Sequence, residues 1–275
     1  MSTHTTRVGS ATITALEIAS APRGAEELAA LFGNVPRNEI DAAVRGAITW
    51  SFTLLLIRLG ETTVLMDTGF GFDSGGPGRP TSALLEEAGT SAEEVDHVVI
   101  THCHGDHIGG LLRGDTPAFP NASLVVSQAE YDYWTKPGSD AAPEGARPIR
   151  DALAAYGGRV RTIAFNEEIL RVGESSIRSF GIPGHTPGQI GLVVQSGDAS
   201  LRALVDTLHA EFQLAHLDWS PHYDRDPEQA ARSRAAVLDE VAETGELVHF
   251  YHLAYPGFGR VVRSGDAYAW KPEPR

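Results

Sequence analysis

A β-branched apolar run, Val98-Val99-Ile100, breaks off at Thr101. His102, His104, Asp106 and His107 follow, four metal-ligand types within six residues, and Gly109-Gly110 closes the stretch. Three histidines that were merely polar loop residues would not account for that density. Imidazole and carboxylate donors suit Zn, Mn, Fe or Co. The constraint on the fold is severe. Two neighbours on one extended loop cannot enclose an ion, so other strand ends must converge on this one and supply the missing ligands.

Three residues meet that demand. His185 lies in Ile182-Pro183-Gly184-His185-Thr186-Pro187-Gly188, where a strand runs into a loop stiffened by proline. Asp206 ends the apolar run Leu204-Val205, and His252 follows His249-Phe250-Tyr251. His4, His97, His216, His222 and His249 lack such strand-end settings, and His209 is a separate case. Cys103 is the only cysteine. Neighbours on an extended loop project to opposite sides, so its thiol should point away from the adjacent imidazoles and pack. With no second cysteine there is no intramolecular disulfide, and nothing marks adaptation to an oxidising compartment.

The rest of the chain reads as strands and helices in mixed order. Ala11–Ile18, Phe52–Leu59, Thr62–Met66, Asp96–Thr101, Ser123–Ser127, Val160–Phe165, Ser176–Ile182, Ile190–Val194, Leu201–Val205, Leu247–Tyr251 and Arg260–Arg263 have strand character. Glu26–Phe32, Glu39–Val44, Gln128–Trp134, Ile149–Tyr156 and Glu228–Glu243 have helical character, and Gly109–Arg113 reads as a helix start. Pro137–Pro148 reads as a surface loop. The pattern is neither an all-β sandwich nor a strict βαβ repeat; it fits two mixed sheets covered by helices. We expect residues 1–275 to form a single domain, with an N-terminal arm over about 1–48 that caps the site or reaches a partner. The 275 residues carry 22 basic and 36 acidic side chains, a formal charge of −14. That balance disfavours phosphate backbones and anionic membranes. No signal-peptide pattern and no membrane-length apolar run is present, so a cytoplasmic protein without nucleic-acid or membrane partners is expected.

The motif His102-x-His104-x-Asp106-His107, followed in order by His185, Asp206 and His252, resembles the metallo-β-lactamase superfamily over Asp67–His252. The resemblance implies an α+β fold, a four-layered αβ/βα sandwich with the metal site at one edge between two mixed sheets. It implies two divalent ions, zinc foremost, with Mn, Co or Fe as alternatives. His102, His104 and His185 would hold one, Asp106, His107 and His252 the other, and Asp206 would bridge them. Asp67 would organise the ligand loops by hydrogen bonding. Paired metals roughly 3.5–4 Å apart would share a hydroxide formed near neutral pH, and Asp106 could pass a proton to the leaving group.

Within the superfamily, Tyr251-His252-Leu253-Ala254-Tyr255-Pro256-Gly257-Phe258-Gly259 and Asp206-Thr207-Leu208-His209 resemble the methyl parathion hydrolase group and, more loosely, the N-acyl-homoserine lactonases. Lactonases usually carry tyrosine where His209 stands, so His209 is expected to act near the metals. The expected activity is hydrolysis of lactones, aryl esters or organophosphate triesters. A β-lactamase or a glyoxalase II-like thioesterase is the alternative, and a non-catalytic metal-binding module a further one. Sparse basic residues near Lys271 and Arg275 argue against a glutathione thioester. Phe70, Phe119 and Phe212 are the expected substrate contacts, from a wider set of loop aromatics with Phe72, Trp134 and Trp219. A homodimer is expected.

Overall fold

The computed structural model describes residues 3–44, 46–74, 76–136 and 143–274. In chain order the first half holds β1 (Thr3–Val8), β2 (Ala11–Gly24), α1 (Ala25–Leu31), α2 (Arg37–Val44), β3 (Ala47–Leu59), β4 (Thr62–Met66), α3 (Thr81–Glu87), β5 (His97–Ile100), α4 (Gly105–Ile108), the small hairpin β6 (Leu112–Arg113) and β7 (Thr116–Pro117), β8 (Ser123–Ser127), α5 (Gln128–Thr135), α6 (Pro143–Tyr156) and β9 (Val160–Ile163). The second half holds β10 (Glu168–Val172), β11 (Ser175–Gly181), β12 (Ile190–Ser196), β13 (Ala199–Ala203), α7 (Pro227–Thr244), β14 (Leu247–His249), β15 (Phe258–Ser264) and β16 (Ala267–Pro272). Two seven-stranded sheets result, ordered β1-β2-β3-β4-β5-β8-β9 and β10-β11-β12-β13-β14-β15-β16. Both are mixed: β4, β5, β8 and β9 run parallel, as do β13 and β14, and the remaining pairs are antiparallel.

The strand sequences explain the layering. Leu54, Leu55, Leu56 and Ile57 of β3 are all fully buried, because β3 is covered on both faces. Successive side chains alternate between faces. Leu55 and Ile57 therefore join Val64, Val99 and Val125 against Ile177, Ile190, Leu192 and Leu201 of the other sheet. Leu54 and Leu56 join Val98, Ile100 and Leu124 against α3, α5 and α6, through Leu84, Trp134, Ile149 and Leu153. On the far side, Val237, Leu238 and Val241 of α7 cover Val248 and Val261. The order is helix, sheet, sheet, helix, the four-layered αβ/βα sandwich. Helix α7 is framed by local chemistry: Asp226 accepts a hydrogen bond from the Gln229 amide at 2.9 Å, and Pro227 fits the first turn.

The structure departs from the expected elements in several places. β1 precedes the expected first strand and contains His4; it pairs with β2 along its length. Thr3–Gly24 is thus part of the first sheet, and only α1 and α2 form a separate cap, packed with Trp50, Ala210 and Trp219. Strands β10 and β16 were not anticipated; each is a short edge strand with half-exposed residues and a weak apolar signal. The helix expected to start at Gly109 instead ends there as α4. A Cβ at Gly110 would lie 2.2 Å from the Thr68 carbonyl, so the glycine lets two loop backbones touch. Of the loop expected over Pro137–Pro148, residues 137–142 lie outside the described residues, and 143–148 are the opening turns of α6.

Leu55 reports on the shared core between the sheets. Leu55→Ala should lower unfolding free energy by about 2–5 kcal/mol, read as a shift of the urea midpoint at unchanged slope.

Candidate metal centre

Every ligand candidate sits where a strand ends at the same edge of the sandwich. β5 delivers His102, His104, Asp106 and His107; β11 delivers His185; β13 delivers Asp206; β14 delivers His252. The loops are tied together by backbone bonds. The Ile190 amide donates to the Thr101 carbonyl at 3.0 Å, across the two sheets, and the Ser51 amide donates to the His252 carbonyl at 3.2 Å. Two positions bend sharply. Asp67 has φ +63 and Val205 has φ +41, left-handed conformations that are costly for a β-branched residue. The Val205 turn is what aims Asp206 inward.

The side chains converge in two groups. His102 Nε2 and His185 Nε2 lie 3.1 and 2.9 Å from His104 Nδ1. In the second group, His107 Nε2 is 3.5 Å from an Asp106 oxygen and 3.3 Å from Asp206 Oδ1. His252 Nε2 is 3.0 Å from Asp206 Oδ2 and 3.8 Å from Asp106 Oδ2. The same Asp206 Oδ2 lies 3.4 Å from His185 Nε2 and 3.8 Å from His102 Nε2. Asp206 therefore stands between the groups. His209 joins it, with Nε2 at 3.3 Å from Asp206 Oδ2. Each group's ligand atoms fall within 4.8 Å of one another.

Behind these atoms stands a second tier of polar groups. His107 Nδ1 pairs with Asp67 at 2.8 Å, and Asp67 also accepts from the Thr101 amide and hydroxyl, both at 2.8 Å. Asp67 thereby ties the Thr101 backbone and the His107 ring together. His185 Nδ1 pairs with Asp224 at 2.8 Å, and buried Arg234 approaches the other Asp224 oxygen at 3.5 Å. His252 Nδ1 faces the Ser51 carbonyl at 3.1 Å. Glu130, fully buried, accepts from the Cys103 amide at 2.8 Å, Trp134 Nε1 at 2.7 Å, the Thr186 hydroxyl at 2.7 Å and the Gly188 amide at 3.0 Å. It straps the His102 loop to the His185 loop. A Cβ at Gly188 would sit 2.0 Å from the Glu130 amide, so only glycine permits the strap. Sequence reading missed Glu130, Asp224 and Arg234; the one available signal was an acid and a base in otherwise ordinary helices or loops. Cys103 is buried in the core under the first sheet, away from the ligand atoms, and burial pushes its thiol pKa up.

Electrostatics favour cations here. Burial raises the Asp206 pKa, but His252, His107 and His102 outweigh it and hold the carboxyl well below its usual range. Burial likewise opposes a charged His107, yet Asp206, Asp106 and Asp67 hold it well above the ordinary imidazole range. His104 and His209 are pushed down to about 3 and about 4, chiefly by burial. His104 and His209 are thus neutral beside an ionised Asp206, the protonation states that metal binding requires, whereas His107 is held as a cation by its three carboxylates and gives up its proton when a metal binds.

A cleft of about 410 Å³ opens over the centre. Its walls are Trp50, Phe52, Phe70, Pro77, Tyr223 and Arg23. Of the expected substrate contacts, Phe70 is in the wall. Phe119 is fully buried under the first sheet, edge-on to Phe72 at 5.5 Å. Phe212 packs on Phe32 and Trp219, at 4.9 and 5.4 Å, among the cap helices. Both are corrected to packing residues. Trp50 and Phe52 line the cleft; they are two apart on β3 and so share a face.

The family model of the metallo-beta-lactamase superfamily matches residues 53–252. The chain belongs to that superfamily. A curated member, metallo-beta-lactamase domain-containing protein 1 of Xenopus laevis, is 29% identical over 212 residues, 75% of this chain and 72% of that protein. Among solved structures, the dizinc quorum-quenching lactonase AidC matches with TM-score 0.88 at 24% identity, over 99% of this chain and 98% of that one. The hydrolase AbOPH of the same superfamily matches with TM-score 0.87 at 23% identity, over 100% and 98%. At these identities the two structures establish the shared fold.

Superfamily members bind divalent metals, usually zinc, and the residues present suit them. Buried His107 Nε2 and Asp206 Oδ1, and both His209 ring nitrogens, have no hydrogen-bond partner among the described residues. Such orphaned atoms are costly in a dry site unless a ligand takes them up. His185 owes its orientation to Asp224, so Asp224→Asn should weaken metal affinity about 10–100-fold, read by chelator competition. Stripping the wild-type protein with chelator should lower Tm, since free metal at about 1,000 times Kd adds roughly 4 kcal/mol to stability.

Proposed function

We propose that the chain is a dinuclear metal-dependent hydrolase acting on lactones, aryl esters or organophosphate triesters. The observation that carries this reading is the position of Asp206. One carboxylate oxygen lies within 3.8 Å of His102, His185 and His252 nitrogens at once, and the other lies 3.3 Å from His107. A carboxylate can serve two cations and offset their repulsion; an imidazole cannot. His102, His104 and His185 would hold one ion and Asp106, His107 and His252 the other. Two bound divalent cations supply an ionised water near neutral pH and Lewis acidity toward a C=O or P=O oxygen.

The chain's own groups do the remainder. Asp106 is a candidate ligand that lines the cleft with 18% of its side chain exposed, so its carboxylate can take a proton and hand it to the leaving oxygen. Its main chain is fixed by Tyr251, whose hydroxyl donates to the Asp106 carbonyl at 2.6 Å. His209 is neutral at neutral pH because burial holds its pKa near 4, and it lines the cleft with Nε2 3.3 Å from Asp206 Oδ2 and Nδ1 without a hydrogen-bond partner among the described residues. Its N–H is available to a developing oxyanion. Trp50, Phe52 and Phe70 give the cleft an apolar wall suited to acyl chains or aryl leaving groups. A lactonase reading is further supported by the likeness to AidC.

The test joins composition to turnover. Elemental analysis should find about two divalent ions per chain, and the loaded protein should hydrolyse at least one of a homoserine lactone, an aryl ester and a paraoxon-type triester, with nitrocefin inert. His209→Ala should lower kcat/KM on the accepted substrate about 10²-fold at unchanged metal content. Absence of turnover across the panel by the fully loaded protein would sink the proposal.

A further inference from the structure

The one-turn helix α4 carries Asp106 and His107 but is held in place from outside. A single turn lacks donors for its own last carbonyls. The His107 carbonyl accepts from the Thr68 amide at 2.7 Å and the Thr68 hydroxyl at 2.9 Å. The Asp106 carbonyl accepts from the Tyr251 hydroxyl at 2.6 Å. Thr68 belongs to the same half of the chain as α4. Tyr251 belongs to the other half: it follows β14 of the second sheet, is fully buried, and packs into the core beneath the first sheet.

Tyr251 touches all three residues assigned to one ion position. Its hydroxyl fixes the backbone of Asp106. Its ring lies against the His107 ring, with centroids 4.3 Å apart and planes tilted by 30°. It precedes His252 in the chain, and those two rings meet edge-on at 4.9 Å and 79°. The other position is supported by different groups. His185 Nδ1 pairs with Asp224 at 2.8 Å, and Glu130 takes the Cys103 amide between His102 and His104 at 2.8 Å. Groups behind the ligands orient them and so tune metal affinity. Separate supports for the two positions make their affinities separable.

We infer that Tyr251 is the positioning residue of the Asp106–His107–His252 position. Its hydroxyl sets the affinity of that ion and leaves the His102–His104–His185 position unchanged. The inference deepens the two-ion reading above and rests on it. A protein without this hydroxyl holds one ion at metal concentrations where the wild type holds two.

The experiment titrates the metal-depleted full-length protein with Co²⁺ alone, following its visible absorption, with a competing chelator to fix both constants. His252→Ala and His185→Ala, each short of one ligand, give reference spectra for an ion left in one position or the other. Tyr251→Phe keeps the ring and removes the hydroxyl. It should weaken one of the two binding steps about 10–100-fold and leave the other within about twofold. Its singly loaded spectrum should match that of His252→Ala, with circular dichroism unchanged. Incorporating 4-aminophenylalanine at the same place restores an N–H donor and should recover the lost step. Equal weakening of both steps by Tyr251→Phe overturns the inference, because the residue would then serve only packing. So do unchanged constants, a spectrum matching His185→Ala, or a failure of the amine to recover the step. A wild type that binds a single ion removes the two-ion reading and this inference with it, whereas two ions in the wild type and unchanged constants in Tyr251→Phe remove the inference alone.

Discussion

Asp206 is the residue on which the rest of the site depends. A carboxylate buried at the seam of two sheets, facing five imidazoles at 3.0–3.8 Å, is a costly arrangement unless positive charge is nearby. The protein accepts further cost to make it, in the left-handed backbone of Val205 just before it. Strain of this kind persists only where the surroundings over-determine the conformation. Here the Leu204 amide bonds the His249 carbonyl at 2.8 Å, and the Arg234 Nε bonds the Thr207 carbonyl at 2.7 Å, gripping the turn from both sides.

Around Asp206 the design is a set of buried acids that never meet the candidate metals. Asp67, Glu130 and Asp224 each bind a ligand residue or its loop from behind and spend their oxygens on amides, hydroxyls and imidazole N–H groups. Burial pushes the Asp67 and Glu130 carboxyls up, and the hydrogen bonds they accept pull the other way. The ligand loops themselves are short and irregular, so without these struts four strand ends would have no common geometry. The superfamily fold supplies the approximate convergence, and the struts fix it.

How much of this was legible in the sequence differs by residue and for physical reasons. The cluster His102–His107 was legible because its ligands are close in sequence, and His185, Asp206 and His252 because each follows an apolar run. The two-sheet architecture followed from the strand pattern. The cleft walls were less legible. Phe119 and Phe212 sit on loops, yet their rings turn into packing clusters; Trp50 and Phe52 belong to a strand, yet line the opening. Whether an aromatic faces a core or a cleft depends on which face of its element is covered, and that is a property of the assembled sheets. Glu130 and Arg234 went unseen for the same reason: a buried charge in a helix looks like a solvated one until its partners, distant in sequence, are in place.

The hydrogen bond from Ile190 to Thr101 and the Glu130 strap both join one half of the chain to the other at the candidate centre. Four of the seven candidate ligands come from the first sheet and three from the second. The centre is therefore a clasp between two halves, and neither half alone has the donors for a pair of ions. A small slide of one sheet over the other would alter every distance across the seam while leaving each strand intact. Occupancy of the centre is consequently a gauge of how well the halves are docked, and a change deep in the shared core would register there before it registered in secondary structure.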